Sequence, residues 1–209
     1  MTDRLSAVGV GIELVSDEDY GAYVAALLPK PPESWSRSQH ALELVCRPSF
    51  SPEVVIRLWS DAETSRLQLA SLGTSIWLRR FNLPPWLRPR ARRVALRGSG
   101  KPKEPTVPPE VPHAESVDAP GALPLIEMGL RLPQPAATAG LDGMNVTLIA
   151  RGESETITRE VWSPRPEDPA FELLQRVHGL ASQQLSDPES RRRLDELHEA
   201  IGLGFPMDP

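Results

Sequence analysis

Cysteine is almost absent from this chain, and so are the apolar runs that would cross a membrane. The single thiol, Cys46, excludes an internal disulfide and a zinc site built from clustered cysteines. No stretch approaches the ~18 consecutive apolar residues that a membrane span requires. The first twenty residues carry acids at Asp3 and Glu13 and no long apolar run, which argues against a signal peptide. We therefore expect a cytoplasmic protein with no membrane contact.

Recognisable catalytic and metal-binding motifs are also missing. There is no G-x-S-x-G elbow, and no pair of histidines has metal-ligand spacing. Gly9 and Gly11 lack the third glycine of a dinucleotide-binding loop, and no phosphate-loop lysine follows them. The sequence therefore nominates no catalytic residue, no metal ligand and no cofactor. An enzyme whose site residues are dispersed along the chain stays an open alternative.

The four histidines and the cysteine are expected to be structural or solvated. His113 falls in a presumed linker, and His198 is expected to face solvent on the last helix. His178 borders the apolar face of its helix, where a packed histidine is the favoured interpretation. Cys46 lies in an apolar alternation, so we predict a buried and inert thiol. His40 offers no geometry for a triad.

Proline, by contrast, is abundant: the chain holds 23 prolines among 209 residues, about twice the usual ~5% share. Many lie in residues 98–122, a stretch rich in proline, glycine and charge, which predicts a flexible linker or loop. On this basis residues 1–97 form the N-terminal half of an α+β domain and residues 123–209 the C-terminal half. Two small domains stay open as an alternative.

Upstream of the linker, the apolar alternation predicts mostly strands. A strand over residues 5–15 is followed by a helix that begins at Ser16. Three further strands are expected over residues 41–47, 53–59 and 65–72, with the last two joined by a turn at 61–64. Residues 73–81 fit a strand or a helix equally well. Beyond the linker, residues 125–132 alternate Ile126, Met128, Leu130 and Leu132 with other residues, which predicts a strand.

The C-terminal third is the most readable part of the chain. Residues 144–150 and 157–162 alternate as a β-hairpin. Asp168-Pro169 and Asp187-Pro188 each place a capping carboxylate before a proline suited to the first helical position, and Gly202 suits the end of the last helix. The whole chain is thus predicted to be α+β: a mostly antiparallel sheet of about six to seven short strands, packed by an N-terminal helix and a C-terminal helical hairpin, with a proline-rich loop insertion.

Positive charge is concentrated in one segment. Residues 79–103 contain nine basic residues and no acidic ones, together with Phe81 and Trp86, although the chain carries a net charge of −5. Such a segment suits an acidic protein partner or phosphate contacts with base stacking in nucleic acid, and it also suits a solvated connector. The candidate partner-binding residues are Arg79, Arg80, Trp86, Arg88, Arg90, Arg92 and Arg93.

Two stretches resemble a known group of proteins. The pattern Leu141-Asp142-Gly143, a hairpin, Trp162-x-Pro164 and a helix with Leu173, Leu174 and Leu180 is similar to small bacterial α+β proteins, some of them immunity-type partners that neutralise toxins. The run RPSFSPEVVI, which starts at Arg47, is similar to the companion strands of that group. The resemblance implies a binding role and no catalytic residue. The proline-rich, arginine-flanked insertion departs from that compact plan.

Together these observations favour a non-catalytic protein-binding module, such as an immunity-like, adaptor or regulatory protein that acts by surface complementarity to a protein partner. A nucleic-acid-associated protein that uses residues 79–103 is the first alternative. An enzyme with dispersed site residues is the second.

Overall fold

A computed structural model of the chain describes residues 28–48, 51–61, 64–73, 112–134 and 144–202. Within these ranges, six strands form one sheet and four helices accompany it. The predicted strand at residues 5–15, the helix beginning at Ser16 and almost all of residues 73–81 lie outside the described ranges.

The sheet is antiparallel throughout. Its strands are β1 (His40–Pro48), β2 (Val54–Ser60), β3 (Ser65–Ser71), β4 (His113–Asp118), β5 (Met144–Arg151) and β6 (Thr156–Trp162). They lie in the order β4-β3-β2-β1-β5-β6. Strands that precede and follow the predicted linker thus pair in one sheet, since β1 is bonded to β5. The predicted fold class is confirmed.

The register places one apolar row across the sheet. Leu44 is paired with Ile56 on β2 and with Leu148 on β5, and Ile56 is paired with Leu69 on β3. All four side chains are buried. Because alternate residues of a strand point to opposite faces, this row defines the core face and the odd-numbered residues of β1 define the second face. The predicted alternation of these strands is confirmed.

Three helices cover the core face. They are α2 (Ala122–Leu130), α3 (Pro169–Gln184) and α4 (Pro188–Ile201), while the short α1 (Glu33–Arg37) precedes β1. The buried residues of these three helices and of the core face belong to one apolar cluster. Gly129 allows α2 to approach closely, because a Cβ there would lie 2.9 Å from Cδ1 of Leu42.

The predicted helical hairpin is confirmed, and one of its two predicted carboxylate caps, at Asp187, is formed. Asp187 accepts hydrogen bonds from the backbone N–H groups of Glu189 and Ser190, and Gly202 ends α4 in the left-handed conformation with φ 70°. Asp168 occupies the N-cap of α3, but its carboxylate accepts the N–H of Arg165 at 2.8 Å and none from the helix.

Residues 125–132 were predicted as a strand, and this prediction is wrong. Their alternation also fits a helix, because the buried residues of α2 fall at Ala122, Leu125, Ile126 and Gly129, one helical face. Burial of that face against the sheet decides between the two patterns.

The linker predicted over residues 98–122 is also wrong in part. His113–Asp118 is strand β4, paired with β3 from Arg66↔Asp118 to Ser71↔His113, and α2 begins at Ala122. An edge strand with exposed alternate residues carries little apolar signal, which is why the sequence did not indicate it.

The first half of α4 is fastened to the end of β3. The Arg193 guanidinium is almost fully buried and donates to the carbonyl of Gly73 at 2.7 Å. Glu189 and Glu196 each accept from it at 2.9 Å, so its charge is neutralised within α4.

Candidate functional site

The basic segment that the sequence nominated lies outside the described residues. This holds for each predicted contact: Arg79, Arg80, Trp86, Arg88, Arg90, Arg92 and Arg93. The predicted partner-binding role of these residues therefore stays a prediction.

A polar cluster joins β4 to the beginning of α4. His113, predicted to lie in a linker, instead projects from β4, with its Nε2 2.8 Å from Ser190 Oγ and 3.2 Å from Asp187 Oδ1. Glu115, two residues on, accepts from the backbone N–H groups of Ser186 at 3.0 Å and Asp187 at 3.2 Å. Burial opposes ionisation of Glu115, but the hydrogen bonds from Ser186, Asp187 and Ser190 outweigh it and lower its pKa.

This cluster has the residue types of a serine hydrolase without the geometry. Both Ser190 and Asp187 meet the same nitrogen of His113, whereas a triad uses one imidazole nitrogen for each. Ser190 is fully buried, and Asp187 Oδ1 is engaged as the helix cap. The cluster therefore secures α4 to the edge of the sheet and presents no nucleophile.

The other described histidines and the cysteine show no catalytic arrangement. The ring of His178 packs at a tilt against that of His198, with centroids 4.7 Å apart, and both side chains are half-buried, so the predicted solvation of His198 is wrong. His40 Nε2 lies 3.8 Å from Glu153 Oε1. Cys46 is buried as predicted, and burial raises the pKa of its thiol to about 12. Nowhere in the described ranges do three or more His, Cys, Asp or Glu side chains gather as a metal site.

In the described strands, the second face of the sheet carries four arginines, Arg47, Arg57, Arg66 and Arg151, in two different electrostatic states. Arg66 is paired with Asp118 on β4, with its Nε 3.3 Å from Oδ1. Arg57 on β2 is neutralised: its Nε donates to Glu43 Oε2 at 2.6 Å, and both side chains are largely buried. Arg57 Nη1 also donates two hydrogen bonds, to Gln68 Oε1 at 2.9 Å and to the carbonyl of Pro29 at 3.1 Å. This ion pair is a structural element of the sheet interior.

Arg47 and Arg151 lie at opposite ends of the same face and differ from Arg57. Arg47 Nη2 donates to Asn145 Oδ1 at 2.9 Å and to Thr147 Oγ1, both on β5. Arg151 Nη2 donates to the carbonyl of Trp35 at 2.5 Å, and its guanidinium lies 4.9 Å from the centroid of that indole. Each guanidinium is therefore held in place by neutral groups.

The contacts described for these two arginines are all with neutral groups. The Nε atoms of Arg47 and Arg151 are buried and have no hydrogen-bond partner among the described residues, although both residues are half-exposed overall. We call the set Trp35, Arg47, Asn145, Thr147 and Arg151 the arginine face. The sequence signal for it was weak, because each arginine stands singly in its strand.

Comparisons with protein-family models, with curated proteins and with solved structures found no match. Among the described helices, none combines the length and the apolar character that crossing a membrane requires.

Proposed function

We propose that this chain is a non-catalytic protein-binding module, immunity-like, adaptor or regulatory in role, whose arginine face receives acidic groups of a protein partner. The observation that supports it is the pair of half-buried side chains of Arg47 and Arg151, whose guanidinium groups are held by neutral groups of the described residues. Arg57 on the same face differs, because it is paired with Glu43.

Ordering of the arginines before binding favours such a contact. A free arginine loses side-chain freedom when it binds, at about 0.5–1.5 kcal/mol for each immobilised side chain. Asn145 and Thr147 already hold Arg47, and Trp35 holds Arg151. A partner carboxylate would offer the accessible part of each guanidinium a charged acceptor, and charge-assisted hydrogen bonds are the stronger kind.

The spacing of the two arginines gives the contact specificity. Arg47 is in register with Asn145 on β5, and Arg151 lies six residues further along that strand. At about 3.4 Å for each residue, the two positions are roughly 20 Å apart. A partner must therefore present two acidic groups at that separation, a distance that suits a folded protein surface better than a single small anion.

The test is co-purification of a tagged full-length chain from its source cell, with and without nuclease. We expect a stoichiometric protein band that survives nuclease, weakens in Arg47→Ala and Arg151→Ala, and persists in Arg131→Ala. Arg131 is the matched control. Its exposed side chain is paired with Glu127 at a distance of 3.3 Å, and the pair lies away from the arginine face. A band equally strong in all three variants would refute the role of the arginine face.

The alternative, a nucleic-acid-associated protein, is favoured by the nine basic residues of segment 79–103. Nuclease treatment during co-purification distinguishes the two proposed functions, because loss of every partner after digestion supports binding to nucleic acid. Binding of a labelled oligonucleotide should then weaken steeply as salt rises, because each phosphate contact releases counterions. Binding that stays constant with salt would dismiss this alternative.

A further inference from the structure

Two histidines from different helices meet inside the helical hairpin. His178 on α3 and His198 on α4 have ring centroids 4.7 Å apart and an interplanar angle of 42°. His178 Nε2 and His198 Nδ1 are buried and have no hydrogen-bond partner among the described residues. The rings are therefore in direct contact, with part of their polar surface removed from water. We call them the histidine pair.

Few charged groups face the pair. On α4, Asp195 is the neighbouring carboxylate and is exposed, while Arg191 directs its Nε to the carbonyl of Leu185. On α3, Ser182 Oγ lies 3.5 Å from His178 Nδ1. The sole charged residue of α2, the other helix packed on α3, is Glu127, which is exposed and paired with Arg131.

The balance of these groups opposes a positive charge at His178. Burial lowers the pKa of His178 from its usual 6.5, and the neighbouring His198 lowers it further. The backbone of Leu194 and the carboxylate of Asp195 act in the opposite direction but do not compensate.

We propose that the histidine pair is a proton-sensitive contact that holds α4 against α3 at neutral pH and releases α4 on mild acidification. In the closed hairpin the His178 imidazole is neutral, whereas in an open hairpin it is hydrated and has an ordinary proton affinity. The stabilisation is therefore complete above the usual value of 6.5 and is lost as pH falls through the lower value of the closed form. Release would expose the buried face of α4, namely Leu194, Leu197 and Ile201.

The primary experiment uses the unmodified full-length chain. Nuclear magnetic resonance titration of the imidazole groups should give a midpoint for His178 below 6.5. Hydrogen exchange of α4 amides, corrected for the pH dependence of intrinsic exchange, should show that opening becomes more frequent as pH falls from 7.5 to 5.5. One proton taken up on opening gives an increase of up to about tenfold for each pH unit. A midpoint at or above 6.5, or α4 protection that is unchanged with pH, would overturn the proposal.

A set of variants separates this contact from general acid sensitivity. His178→Gln and His198→Gln should each reduce the pH dependence of α4 opening. His40→Gln should retain it, because His40 lies on β1, away from the hairpin. If either hairpin variant fails to fold, the titration and exchange on the unmodified chain still decide the question. Loss of pH dependence in His40→Gln alone would place the sensitivity elsewhere and refute the proposal.

Discussion

Removal of Arg57 alone should destabilise the protein by about 1 kcal/mol more than removal of both members of its ion pair. Arg57→Met leaves the Glu43 carboxylate, whose side chain is 13% exposed, without a cation in the sheet interior. Breaking a buried pair from one side costs about 3–5 kcal/mol, and the remaining exposure of Glu43 places the expected loss near 3 kcal/mol.

The double variant Arg57→Met/Glu43→Leu removes the uncompensated charge. Its remaining penalty comes from Gln68 Oε1 and the carbonyl of Pro29, which both lose a donor. At about 1 kcal/mol for each lost hydrogen bond, the double variant should be about 2 kcal/mol less stable than the natural chain. It should therefore be more stable than Arg57→Met alone.

Urea unfolding followed by circular dichroism gives the free energies of unfolding for this double-mutant cycle. The matched control is the exposed pair Arg176–Glu172 on α3, whose side chains are 61% and 55% exposed and whose coupling should not exceed about 0.5 kcal/mol. Additive losses in the Arg57–Glu43 cycle would show that the two side chains do not interact, and our account of the second face would then be incorrect.

Three further predictions concern packing, capping and reactivity. Gly129→Ala should lower the free energy of unfolding by about 1–3 kcal/mol, because its Cβ would lie 2.9 Å from Leu42. Gly179→Ala has open space around the new Cβ and should raise the free energy of unfolding by about 0.5–1 kcal/mol. Equal effects of the two substitutions in urea unfolding would contradict the close approach of α2. Asp187→Ala should cost about 1 kcal/mol through loss of two cap hydrogen bonds, and Asp168→Ala should cost less in the same assay, since its carboxylate caps no helical N–H. The Cys46 thiol should resist alkylation by iodoacetamide at pH 8 in the native state and react after denaturation; native labelling at the rate of a free thiol would argue against its burial.

The spacing of apolar residues and the helix-capping residues were sufficient to predict most strands and the helical hairpin from the sequence. Leu42, Leu44 and Cys46 alternate on β1, and Asp187-Pro188 starts α4, because these patterns arise from local geometry. The pattern failed at residues 125–132, where Ile126 and its neighbours satisfy both a strand and a helix period and only packing against the sheet selects the helix.

The candidate sites depend on contacts between distant residues, which no local pattern contains. His113 and Ser190 are 77 positions apart, and Arg47 and Asn145 are 98 apart. Similarly, His178 and His198 meet only because the turn between α3 and α4 folds the hairpin back. The sequence could indicate the secondary structure around each of these residues. Which distant residue each one contacts is determined by the order of strands in the sheet and by the packing of the helices.

The attachment of α4 to the sheet has a consequence for the basic segment. Gly73, just before residues 74–111, accepts from Arg193, and His113, just after them, contacts Ser190. The residues that flank the segment on its two sides are therefore both attached to the first two turns of α4. By thermodynamic linkage, a ligand that binds the segment more tightly when its roots are together also strengthens the seating of α4, and loosening α4 weakens that ligand by the same factor. The affinity of residues 79–103 for such a ligand and the stability of α4 on the sheet would then change by the same coupling free energy.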